Sequence, residues 1–224
     1  MITINVIERV FHLKYGQGTG TCFAIDVDNK QYLVTAKHVV DTLVNKQEVE
    51  IYHNGNWVKV SINLIGHHPT ADISVFSIDT ILARHHLEPS SHGIAYGQDT
   101  YFLGFPYRIQ SEKGNQINRN FPIPLVKKAI LSCITNDGTG AYMLLDGINN
   151  PGFSGGPVVF SEPGIYNYRI AGVISGYKSV EEPTYHQGQQ TPLSIRINTG
   201  IIIAYTINHA IDLINQNPTG TVIK

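Results

Sequence analysis

Asn150-Pro151-Gly152-Phe153-Ser154-Gly155-Gly156-Pro157 sets a single serine among glycines, just ahead of the apolar run Val158-Val159-Phe160. Glycine permits tight turns and close approach of neighbouring backbone. A turn of this composition exposes a hydroxyl beside bare backbone N–H groups. That is the pairing acyl transfer requires. In such a reaction the Ser154 oxygen would attack a carbonyl, and the amides of Gly152 and Ser154 are the expected oxyanion hole for the charge that develops. Many loops are glycine-rich, so the turn gains meaning only with a base and a carboxylate to serve it.

Both stand upstream. Tyr32-Leu33-Val34-Thr35-Ala36-Lys37-His38-Val39-Val40 reads as a strand that runs into a short helical turn carrying His38. Ala71-Asp72-Ile73-Ser74-Val75-Phe76-Ser77-Ile78 places Asp72 at the mouth of a strand with alternating apolar positions. The chain order is His38, Asp72, Ser154, which among serine triads is the order of the chymotrypsin-type double barrel. On these residues the sequence resembles the trypsin-like (chymotrypsin-fold) serine peptidases, of the bacterial HtrA (Deg) type.

The resemblance covers most of the chain. Gly18-Thr19-Gly20-Thr21-Cys22-Phe23 is similar to the glycine-rich entry strand, and Thr35-Ala36-Lys37-His38-Val39 to the histidine motif, with Lys37 where a small residue is usual. Leu103-Gly104-Phe105-Pro106 resembles the turn that opens the second barrel. Ile174-Ser175-Gly176 resembles the strand that pairs with substrate, and Tyr177 follows it. The resemblance implies an all-β fold of two six-stranded antiparallel β-barrels with a C-terminal α-helix and a cleft between the barrels. It implies a serine endopeptidase in which His38 is the base, Asp72 orients it and Ser154 is the nucleophile, with no cofactor. Such an enzyme is expected to be a regulated, cytosolic, bacterial or phage-encoded protease, an effector of stress or defence. Two other readings stay open: an idle peptidase-fold module that binds protein, and an esterase or self-processing activity.

Two departures narrow the expectation. Phe153 stands where zymogen-type relatives place an aspartate that pairs with a newly cut N-terminus, so activation by an inserted ammonium group has no partner. Ile148, six residues before Ser154, stands where specificity for Lys or Arg wants a carboxylate. With Tyr177 it predicts a shallow apolar pocket for small or medium side chains, since an unpaired Lys is costly to bury. Asp146 lies close enough to matter if the loop is shifted.

Composition sets further bounds. With 42% hydrophobic and 15% charged residues the chain is globular, and a net charge of −1 argues against a polyanion binder, so no nucleic-acid partner is expected. No apolar stretch is long enough to cross a bilayer. Met1 to Val10 alternates and lacks a signal-peptide pattern, which predicts a cytoplasmic protein. Cys22 and Cys133 are expected as buried reduced thiols. His67-His68 and His85-His86 are expected in surface loops, since adjacent residues on a strand point apart. The partners expected are a protein or peptide substrate and an activating protein acting through the polar loops 107–124 or 176–194, with the chain a monomer.

The first barrel should end near residue 85, residues 84–98 should cross to the second barrel at about 99–205, and 206–216 should form a helix packed on that second barrel. Asn54-Gly55 between Val49-Tyr52 and Trp57-Val60 predicts a hairpin. HtrA-type proteins commonly carry a PDZ domain, and none is expected in this sequence.

Overall fold

The computed structural model describes residues 1–111, 116–138, 140–162, 164 and 167–223. After a one-turn helix, α1 (Ile4–Ile7), seven strands follow: β1 (Val10–Tyr15), β2 (Gly18–Val27), β3 (Lys30–Thr35), β4 (Glu48–His53), β5 (Asn56–Ser61), β6 (Asn63–His67) and β7 (Ser74–Ser77). The second half holds β8 (Glu88–Pro89), β9 (Asp99–Gly104), β10 (Leu125–Asn136), β11 (Ala141–Asp146), β12 (Pro157–Ser161), β13 (Tyr168–His186) and β14 (Gln189–Thr206). Helix α2 (Asn208–Gln216) and β15 (Thr221–Val222) close the chain. No helix among the described residues is long and apolar enough to cross a membrane.

The strands form two sheets, one per half, as the all-β double-barrel expectation requires. The counts differ from six and six. The first sheet has eight strands because β15 returns to pair with β3 and the chain breaks at Ile62 into β5 and β6. The second has seven, ordered β12-β9-β10-β11-β14-β13-β8, because the short β8 adds in parallel to β13. The predicted hairpin forms, with His53 opposite Asn56 and positive φ at Asn54 and Gly55, as a type I′ turn demands.

Strand alternation distributes the apolar residues over three cores. On β2, Cys22 and Ala24 fill the first barrel with Phe11, Leu33 and Phe76, whereas Phe23 and Ile25 face the junction of the two halves. On β12, Val158 and Phe160 fill the second barrel with Phe102, Leu145 and Phe153, whereas Val159 faces the junction. Strands buried on both faces read as unbroken apolar runs, as Cys22–Ile25 and Val158–Phe160 do.

Helix α2 departs from the expected packing. Its buried residues Ala210, Leu213 and Ile214 lie in the junction core, Leu213 fits against Gly66 of β6, and Asn217 Nδ2 donates to the Ile65 carbonyl at 3.1 Å. The helix therefore packs into the junction, against β6 of the first half and, through His209 Nε2 on the Ala141 carbonyl at 2.9 Å, against the second half as well. The spacing of Ile207, Ala210, Ile211 and Ile214 specifies an apolar stripe, and a stripe does not name the surface it meets.

The paired histidines serve as connectors. His67 uses both ring nitrogens, on Ser74 Oγ at 2.6 Å and the Leu43 carbonyl at 2.8 Å. His85 meets Glu8 at 2.9 Å. Cys22 is a buried free thiol whose pKa is pushed up by burial, and Cys133 is free and half-buried.

His12 has a larger consequence. It is 2% exposed, stacks on Phe105 across the junction with centroids 4.7 Å apart, and meets the edge of Trp57 at 4.8 Å. Nδ1 bonds Gln110 Oε1 at 3.2 Å, and Nε2 is buried without a partner. Burial, with Arg108 nearby, lowers its pKa from 6.5 to about 4 against the opposing Gln110 bond. The unfolded chain therefore binds a proton that the folded chain refuses. Stability from this site is complete above pH 6.5 and is lost as pH falls toward 4. The loss is about 3 kcal/mol. Denaturant titrations should show a steeper loss of stability below pH 6.5 in wild type than in His12→Phe; equal slopes would refute the assignment.

Candidate functional site

Of the three residues singled out by order in the chain, His38 and Asp72 bond directly, and Ser154 is linked to Asp72 through Ser175. His38 sits in a 3-10 turn, Lys37–Val39, directly after β3, and Asp72 precedes β7, which pairs with β3. The Asp72 carboxylate receives three donors. Oδ1 accepts the His38 backbone N–H at 2.8 Å; Oδ2 accepts His38 Nδ1–H at 2.7 Å and the Ser175 hydroxyl at 2.6 Å. Burial would raise the Asp72 pKa, but the hydrogen bonds and charge of His38 with the Ser175 bond outweigh it and hold the group below the usual range. The Asp72 bond raises the His38 pKa above its ordinary 6.5, against a smaller effect of burial.

Ser154 stands on the expected turn, with Phe153 N–H donating to the Asn150 carbonyl at 3.3 Å and Gly156 N–H to the Phe153 carbonyl at 2.8 Å. Its hydroxyl donates to the Ser175 carbonyl at 3.2 Å rather than to His38. Ser175 thus touches both ends of the constellation, the nucleophile through its carbonyl and the aspartate through its hydroxyl. Among the described residues the N–H groups of Gly152 and Ser154 make no hydrogen bond, which leaves the pair of donors free. Gly152 takes φ +105° and faces the Phe105 carbonyl so closely that a Cβ would lie 2.4 Å from its oxygen.

The turn is clamped from both halves of the molecule. Thr21 is fully buried; its N–H donates to the Ser154 carbonyl at 2.9 Å and its hydroxyl to the Gly152 carbonyl at 2.8 Å. The same Oγ1 accepts the Phe105 N–H at 3.2 Å. From the second half, Tyr107 N–H donates to the Pro151 carbonyl at 3.0 Å, and Tyr107 and Arg108 both take positive φ to do so. Phe153 is fully buried edge-on to Phe102 at 4.9 Å. An apolar ring thus fills the place expected to lack a carboxylate.

A family model for the trypsin-like peptidase domain matches residues 19–163. The chain belongs to the trypsin-like peptidases. Among solved structures, this trypsin-like peptidase is similar to the HtrA-type protease AlgW with a tripeptide, at TM-score 0.65 and 19% identity, over 95% of this chain and 61% of that one. It is also similar to the inactive form of the Rv3671c protease of M. tuberculosis H37Rv, at TM-score 0.60 and 15% identity, over 96% of this chain and 91% of that one. At such identities the likeness concerns the fold, and the chain spans only 61% of the AlgW chain. No curated protein sequence matches the chain.

The cleft walls of the peptidase differ in part from the sequence expectation. Ile174 N–H donates to the Gly156 carbonyl and its carbonyl accepts the Gly155 N–H, at 2.8 and 2.7 Å. Both groups are spent on the nucleophile turn, so Ile174 has none to offer a substrate, and the free edge of β13 begins at Ser175. Ile148 is 50% exposed, with its side chain toward Gly200, and Tyr177 is partly exposed on the same wall. The residue buried behind Gly176 is Asn149, which donates from Nδ2 to the Gly176 carbonyl at 3.1 Å and keeps a buried, unpartnered Oδ1. Asp146 ends β11 between Ile130 and Ile201 and is exposed.

Sequence reasoning passed over Thr21 and Asn149. Thr21 lay within a quoted motif, yet its partner Gly152 is 131 residues away and no local pattern links them. The expected polar loop 176–194 is instead a β-ribbon made by the ends of β13 and β14. Of the loop 107–124, residues 112–115 lie outside the described residues; Ser111 and Ile123 bridge its base.

Proposed function

We propose that the chain is a serine endopeptidase that cleaves extended polypeptide through an acyl-enzyme on Ser154. The observation that carries this reading is the Asp72 carboxylate with its three donors. It fixes the His38 tautomer with Nδ1 protonated, which leaves Nε2 with its lone pair on the side away from Asp72. In the reactive state the Ser154 hydroxyl leaves the Ser175 carbonyl and donates to that nitrogen instead.

His38 takes the proton as Oγ bonds the substrate carbonyl carbon, and the carbonyl oxygen becomes the oxyanion held by the Gly152 and Ser154 amides. Collapse breaks the C–N bond, and the His38 proton leaves with the amine. A water molecule repeats the sequence and frees the acid. The substrate backbone lies along β13 from Ser175 to Tyr177. Ile148 and Asn149 bring no charge to pair a Lys or Arg at the cleaved residue, so small and medium uncharged side chains fit best.

A second reading, an idle module that binds protein without cutting it, is favoured by the commitment of the Ser154 hydroxyl to the Ser175 carbonyl. A fluorophosphonate probe separates the two. The native protein should be labelled on Ser154, located by mass spectrometry of the tryptic peptide, and Ser154→Ala should stay unlabelled. Native protein that takes no label at Ser154 would establish the idle module.

A further inference from the structure

β13 and β14 run past the barrel as a two-stranded arm. Beyond Gly176 and Tyr177 the register shifts, and the pairing resumes from Ser179 opposite Asn198 to His186 opposite Gln189, where Gln187 and Gly188 make the turn. An isolated two-stranded ribbon is marginally stable in water, and a third strand or a packed face normally supports it.

The two faces of the arm differ. Val180 pairs with Ile197 and Glu182 with Ile195, so these four side chains share one face, which Leu193 extends. Val180 is 46% exposed, Ile195 56% and Leu193 69%. Ser179, Glu181, Arg196 and Asn198 share the other face, where Arg196 Nε donates to Ser179 Oγ at 2.7 Å. Leu193-Ser194-Ile195-Arg196-Ile197-Asn198 alternates as a half-buried strand does, yet its apolar side is bare. Among the described residues Glu182, in the middle of that side, has no ion-pair partner.

The edge of the arm is open as well. β12 covers β13 only up to Val173, Gly155 and Gly156 reach Ile174, and among the described residues no strand pairs its outer edge beyond. That edge is continuous with the Ser175–Tyr177 stretch beside Ser154. A substrate strand antiparallel to β13 with its reacting carbonyl at Ser154 runs, toward its own N-terminus, from Ser175 past Tyr177 onto the arm. Pro183 has no N–H to give, so the usable edge extends to Glu182.

We propose that the arm is an extended docking site for the polypeptide substrate, taking the segment N-terminal to the cleaved bond as a third strand beside Ser179–Glu182. This rests on the endopeptidase reading. Strand addition supplies the main-chain hydrogen bonds, and alternate side chains supply the selectivity. On the bare face the added strand sets one side chain beside Val180 and, two residues nearer its N-terminus, another beside Glu182. The segment accepted is apolar at the first position and basic at the second. A second copy of the chain fits less well, because face-to-face arms bring two unpaired Glu182 carboxylates onto one apolar surface.

The test uses fluorogenic peptides with one reporter sequence at the cleaved bond: a short form ending before the arm, and forms extended N-terminally by an alternating segment with valine and then lysine, or glutamate in place of that lysine. For wild type, the lysine extension should raise kcat/KM about tenfold over the short peptide, and the glutamate extension should not. Glu182→Lys should reverse the preference, Val180→Ser should abolish the gain, and both should cut the short peptide as wild type does. Equal rates for all three peptides with wild type overturn the proposal, as does a dimer in sedimentation that Ile195→Ser with Ile197→Ser dissolves. Fluorescence anisotropy of the same peptides on Ser154→Ala reads docking without turnover. Selective binding there supports the arm even if the native protein cuts nothing, and unselective binding refutes it.

Discussion

Asp72→Asn is expected to lower kcat/KM about 10⁴-fold with the fold intact. The reason lies in the three donors that converge on this carboxylate, the His38 N–H, His38 Nδ1–H and the Ser175 hydroxyl. Asparagine presents one acceptor oxygen and an NH₂ group. If its oxygen keeps the His38 backbone N–H, its NH₂ faces Nδ1. His38 must then accept at Nδ1 and carry its proton on Nε2. In that tautomer it has no lone pair for the Ser154 proton, and the chemical step loses its base.

The pH profile gives a second readout of the same residue. His38 must be neutral to act, and Asp72 raises its pKa above 6.5, so wild-type kcat/KM should fall on the acid side with a midpoint above that value. Without the carboxylate the raising influence is gone, and the residual activity of Asp72→Asn should keep its acid limb to lower pH. Purified variants assayed on an ester substrate, whose leaving group needs less acid assistance, would keep the residual rate measurable. A variant within tenfold of wild type would remove Asp72 from the mechanism.

Chemistry and topology were legible from the sequence to different depths. The sequence sets His38, Asp72 and Ser154 each where a strand meets a turn, because each turn is written in local sequence, and the structure bonds His38 to Asp72 there. The arm reads as a loop in the sequence and is a β-ribbon in the structure. Glu181-Glu182-Pro183 and Gln187-Gly188-Gln189-Gln190 have loop composition, and Gln-Gly is not the usual signature of a two-residue turn, yet the alternation of Leu193 to Asn198 was there to be read. Ile174 is expected to face substrate because motif resemblance marks a strand without saying which of its hydrogen bonds are already used, and both of its backbone groups bond Gly155 and Gly156. Thr21 and the docking of α2 were out of reach for another reason. Both depend on which surfaces meet after the barrels close, and that is not encoded in any window of the chain.

Gly155→Ala is expected to be among the most destabilising substitutions in the molecule, by about 3–5 kcal/mol. Gly155 takes φ +82°, and a Cβ there would lie 2.1 Å from the Thr21 carbonyl oxygen, 2.2 Å from Thr35 Oγ1 and 2.9 Å from the Ala36 nitrogen. None of these neighbours is free to retreat. Thr35 Oγ1 donates to the Thr21 carbonyl at 2.8 Å, Thr21 holds the Ser154 carbonyl, and Gly155 N–H is itself bonded to Ile174 at 2.7 Å. A methyl group must therefore push apart β2, β3 and β13 at the junction of the two halves, and it displaces Ser154 with them. Gly16→Ala is the matched control. Its φ is +58°, but nothing lies within 4 Å of the added Cβ, so only the left-handed backbone cost of about 1 kcal/mol remains. Thermal unfolding should place Gly155→Ala roughly 10 °C below wild type and Gly16→Ala within about 4 °C of it. Similar small shifts for the two would mean that the nucleophile turn yields to the methyl group. The close packing of Thr21, Thr35 and Ala36 around Gly155 would then not be what holds Ser154 in place.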